Sequence, residues 1–93
     1  MKQKFLNIKK AIEQLEEIEN LTQDAKKTIS WNRDNIKGLR EELSWKKHNN
    51  IDFSSTQRRI DELMSESTWH REWIKDMKVE KQEVENLLNL SIK

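Results

Sequence analysis

The chain has 93 residues, 38% charged and 33% hydrophobic, with 18 Lys and Arg against 17 Asp and Glu. That length allows one domain, and the absence of Cys excludes a disulfide framework, a thiolate metal site and a cysteine nucleophile. One Gly and no Pro argue against a turn-rich β protein and leave no Gly-rich loop to cradle a phosphate.

A net charge of +1 gives little overall attraction for nucleic acid or anionic lipid. The halves differ in sign. Residues 1–47 hold eleven basic and eight acidic side chains, net +3, and residues 48–93 hold seven and nine, net −2. The first ten residues carry Lys2, Lys4, Lys9 and Lys10 but no apolar h-region, so no Sec-type signal peptide is expected. No run approaches the ~20 apolar residues that cross a bilayer. The expectation is a cytoplasmic protein without membrane contact.

The first element is a long helix, about residues 3–47. With Ile8 at heptad position a, the a positions are Ile8, Leu15, Thr22, Ile29, Ile36 and Leu43. The d positions are Ala11, Ile18, Ala25, Asn32, Leu39 and Lys46. One phase holds for about 40 residues, which is a coiled-coil or long-bundle signal. The polar stretch Ser30–Asn35 and the nearby Gly38 offer a rival, a break near 30–35 that would give three helices.

A turn is expected over 48–54. Lys46, Lys47 and His48 suit a helix C-terminus, and Asn49 or Asn50 suits the left-handed residue that follows it. Ser54 with Gln57 reads as a capping box for the next helix.

The second helix is expected over about 55–90. Its a positions are Ile60, Ser67, Ile74, Lys81 and Leu88, and its d positions are Leu63, His70, Met77, Val84 and Ser91. The whole is an all-α fold, a long antiparallel coiled-coil-like hairpin. Its core is thin, which favours pairing into a four-helix bundle, a homodimer. Phe5, Ile12, Leu21, Leu87 and Leu90, near the end far from the turn, are the candidate oligomer interface.

Four Trp in so short a chain are the unusual feature. Trp31 and Trp45 fall at c with Gly38 between them, a notch between rings about 21 Å apart at 1.5 Å per residue. Trp69 falls at c and Trp73 at g, four residues on, where their rings can touch. A turn near residue 50 sets residue n opposite about 101 − n, so Trp31, Trp69 and Trp73 share one height. These rings either complete a core or form an anchor for another protein, since Trp is enriched among interface hot spots. Trp31, Gly38, Trp45, Trp69 and Trp73 are the candidate partner-binding residues. Stacking of nucleic-acid bases on them lacks a basic groove.

Chemistry is sparse. Glu62, Glu66 and His70 recur every four residues, a spacing for an i, i+4 pair more than for a metal site. Adjacent acids such as Glu16-Glu17 and Asp61-Glu62 diverge on a helix, and a narrow hairpin leaves little room for a ligand cavity. No enzyme activity and no cofactor are expected. Lys46, Lys47, His48, Arg58 and Arg59 form a small basic tip, but Asp52, Asp61 and Glu62 dilute it. So few cations give only a weak, salt-sensitive contact, so nucleic acid is not expected as a partner.

The segment Ser44-Trp45-Lys46-Lys47, a Trp near the turn of a short hairpin, resembles the WXG100-type secreted hairpins. Lys47 stands where that motif has Gly, and the chain has no Tyr for the family's C-terminal export signal. That resemblance implies a small secreted hairpin. In size and charge the chain also resembles small phage or mobile-element proteins that bind and inhibit a host protein. The leading expectation is therefore a non-enzymatic protein-binding protein, an inhibitor or adaptor. A structural homo-oligomer or particle component is the alternative.

Overall fold

The computed structural model describes the backbone from Lys2 to Ile92 and the side chains from Asn7 to Leu90. Helix α1 is Lys2–His48 and helix α2 is Ser54–Ile92. α1 has 47 residues, which at 1.5 Å per residue makes about 70 Å. The molecule measures 72 × 15 × 15 Å, so the hairpin is a straight rod two helices wide. α1 runs through residues 30–35 unbroken, and the three-helix rival is not seen.

The heptad phase explains the packing of α1. Each of its a and d residues from Ile8 to Lys46 is buried or half-buried against α2. Asn32 is the most enclosed of them, and Ile18, Ala25 and Ile29 are the most enclosed apolar ones. In α2, Ile60, Leu63, Ile74 and Val84 are buried, with Leu63 only 1% exposed. Thr56, one heptad before Leu63, is buried at d too and belongs to the seam. Lys81 stands at a but is exposed, because a charged head escapes to water where the seam allows it.

The turn occupies residues 49–53. Asn50 has φ 54°, the left-handed conformation that Asn tolerates better than most residues. Its N–H donates to Lys47 C=O at 3.3 Å, and Ile51 N–H donates to Lys46 C=O at 2.8 Å. Together these bonds form a Schellman motif, which satisfies carbonyls the helix leaves orphaned.

The expected capping box is not what starts α2. Asp52 does it, accepting from Ser54 N–H at 3.0 Å and from the Ser54 hydroxyl at 2.7 Å. Gln57 turns forward and donates to Asp61 at 3.0 Å. Asp52 holds the stronger, charged acceptor, so it outcompetes a neutral Gln for the helix-start donors.

Candidate functional site

An antiparallel pair of heptad helices has two sides beside its seam. Positions g and c of both helices lie on one, and positions e and b on the other. Gln14 and Glu80, both at g, confirm the arrangement by a 3.0 Å hydrogen bond between α1 and α2. All four tryptophans are at g or c, so all four lie on the same flank.

Trp31, Trp45 and Trp69 are 56%, 60% and 60% exposed. Trp73 differs. It is half-buried and packs on Ala25, Ile29 and Ile74, because position g borders the seam and position c does not. Trp69 and Trp73 line one shallow cavity with Leu21, Asp24, Ala25, Thr28 and His70, of about 300 Å³. The ring that Trp69 meets is His70, edge-on at 4.9 Å between centroids. His70 Nε2 in turn stands 3.6 Å from Glu66 Oε1. Glu62 pairs instead with Arg59 at 3.4 Å, so the three residues Glu62, Glu66 and His70 do not converge.

Asn32 meets Ser67 and Lys46 meets Thr56, which sets Trp31 level with about residue 68, within one turn of the expected height. Trp31 nevertheless lies outside the cavity that Trp69 and Trp73 share. Gly38 is exposed, and a Cβ there would meet nothing within 4 Å, so the notch between Trp31 and Trp45 is open. The Asn35 side chain donates to the Trp31 carbonyl at 2.8 Å and Asn49 does the same at Trp45.

The candidate oligomer residues divide between the two sides. Ile12 is at e, while Leu21 and Leu87 are at g and Leu90 is at c. All four are exposed, from 45% at Ile12 and Leu21 to 72% at Leu90. The side chain of Phe5 lies outside the described residues.

Charge follows the same division. Between Gln23 and Lys47 of α1 and between Met64 and Gln82 of α2, positions g and c hold Asp24, Glu42, Glu66, Asp76 and Glu80 and no cation. Over the same spans, positions e and b hold eight cations and no acid. They are Lys26, Arg33, Lys37, Arg40 and Lys47 from α1 with Arg71, Lys75 and Lys78 from α2. The near-zero net charge thus conceals, along the middle of the rod, an acidic, tryptophan-bearing flank and a basic flank. Towards the ends the division blurs, with Glu16, Glu19, Asp61 and Glu85 on the basic side and Lys10 and Arg59 on the acidic one. Listing the e, b, g and c positions separately would have found this, where totals along the chain average it away.

The basic tip at the turn is largely occupied internally. Lys46 bonds Glu42 at 3.1 Å and Thr56 at 2.8 Å, and Lys47 lies 5.0 Å from the Phe53 ring centroid. Ligand room is larger than a narrow hairpin suggests. An open trough of about 720 Å³ runs along the basic flank, because the grooves between two long parallel axes are left uncovered. Among the described residues no helix is long and apolar enough to cross a membrane, and no group of three or more His, Asp or Glu gathers as metal ligands. No protein-family model, curated protein or solved structure matches the chain.

Proposed function

We propose that this protein is a non-enzymatic binding module, an inhibitor or adaptor that docks on another protein through its tryptophan flank. The observation that carries the reading is the exposure of Trp31, Trp45 and Trp69 along one side of the rod. An indole that stays in water forgoes the gain of burial, and a partner pocket recovers it. The acids on the same flank select a partner surface with basic groups around its apolar pockets. The proposed setting is the cytoplasm.

The test is affinity capture with the wild type and with Trp31→Ala and Trp69→Ala. Loss of a captured protein by both variants, with helical circular dichroism unchanged, supports the reading. Retention of every captured protein by the double variant removes it.

A second reading is a structural homo-oligomer, two hairpins paired as a four-helix bundle. Its support is the exposed Leu21, Leu87 and Leu90 on the tryptophan flank. Sedimentation across a concentration series separates the two, since a chain that stays monomeric has no such bundle.

A further inference from the structure

The basic flank carries an inference of its own. Arg33, Lys37 and Arg40 from α1 and Arg71 from α2 converge on the 720 Å³ trough, four cations against the one acid in its lining, Glu41. None of the four has an ion pair or hydrogen bond among the described residues. Lys26 and Lys78 continue the row into the next groove, equally without a partner. Cations three or four residues apart on one helix repel each other, so the arrangement weakens the isolated rod slightly.

The floor between these cations is apolar. Ile29 is buried, Ile36 is half-buried and Met64 is 45% exposed, and all three line the trough. The trough is straight, because the two helices that wall it are straight. We propose that it is the docking groove for a third helix, supplied by a partner protein, whose apolar stripe is flanked by carboxylates. The stripe covers Ile29, Ile36 and Met64. The flanking Glu or Asp side chains meet Arg33, Lys37 and Arg40 on one wall and Arg71 on the other. Their spacing of four and three residues matches the spacing of carboxylates on one face of a helix.

Two other occupants fit less well. A nucleic-acid backbone would use the cations but leave the apolar floor uncovered, and the aromatic rings that could stack bases are on the opposite flank. A second copy would have to offer its acidic flank, where the acids stand among the bulky exposed rings of Trp31, Trp45 and Trp69 rather than beside an aliphatic stripe.

The experiment uses the full chain and a fluorescent synthetic helix of about three heptads, with Leu at a and d and Glu at e and g. Its own like charges keep that probe from self-pairing. A matched helix with Lys for Glu and a labelled single-stranded DNA complete the set. Anisotropy should show the Glu helix binding at least about tenfold more tightly than either, with affinity falling as salt rises. Arg33→Gln with Arg40→Gln should lower that affinity by about tenfold while the melting temperature stays within a few degrees. Trp69→Ala should leave it unchanged, which separates this groove from the tryptophan flank. Equal binding of both helices, tighter binding of the DNA, or an unaffected double Arg variant overturns the proposal. So does self-association of the protein that the same Arg substitutions abolish.

Discussion

Asn32 Nδ2 donates to Ser67 Oγ at 3.2 Å, and both side chains are buried in the seam. They form a polar layer where α1 d meets α2 a. The Asn32 Oδ1 atom is buried with no hydrogen-bond partner. An unmatched buried acceptor costs about 1–3 kcal/mol. A buried polar residue in a coiled coil can fix alignment at a cost in stability, since a slipped register would strand both groups. Asn32→Leu combined with Ser67→Ala, which leaves neither partner of the bond unmatched, is therefore expected to raise stability by about 1–3 kcal/mol in urea unfolding. It should also weaken amide protection near the turn, as the helices gain freedom to slide. A variant less stable than wild type would show that the layer is net favourable.

Gly38 gives a prediction of the same sign from a different cause. It is in the interior of α1, exposed, with open space where a Cβ would go. Gly38→Ala removes the extra backbone freedom of the unfolded chain and should stabilise by about 1 kcal/mol. The melting temperature should rise by several degrees. If the notch beside Trp31 and Trp45 receives a partner group, the same variant loses capture while gaining stability.

The helix start at Asp52 predicts a pH dependence. Hydrogen bonds from the Ser54 backbone N–H and then from its hydroxyl hold the Asp52 carboxyl below its ordinary 3.8, and the Lys46 charge adds to this. A folded value below the unfolded one means the unfolded state binds the proton more readily. The contribution is therefore complete above the ordinary value and lost as pH falls through the lower folded one. Asp52→Ala should be less stable than wild type at neutral pH, and the gap should close below about pH 4. A gap that stays constant from pH 7 to pH 2 would mean the carboxylate charge is not what caps α2.

Much of the fold was legible because a and d side chains repeat in one phase. Ile8 through Lys46 keep it, and a rigid rod obeys it along its whole length. The cap was harder to read. Ser54 and Gln57 have the spacing of a box, and Asp52 wins only because the turn brings its carboxylate onto the Ser54 N–H. Trp73 shares its flank with the other rings in the sequence pattern, but position g leans on the seam and Ala25 is small enough to admit the indole. The charge division escaped because it runs around the rod. Arg33 and Arg71 are distant in sequence and meet only when both helices are folded together.

That division should be visible in fluorescence. Trp31, Trp45 and Trp69 are exposed and share their flank with Asp24, Glu66 and Asp76, while Trp73 is half-covered by Ala25 and Ile29. A local negative potential concentrates cations and repels anions, within a Debye length of about 10 Å at 0.1 M salt. At low ionic strength caesium ions should therefore quench the three exposed rings more effectively than iodide does, once each is scaled to its efficiency on free tryptophan. Added sodium chloride should bring the two towards equality. A variant retaining only Trp73 should be the least accessible to neutral acrylamide and should emit at shorter wavelength. If iodide quenches as well as caesium at low salt, the acids do not shape the field at the indoles, and the preference for a basic partner surface loses its basis.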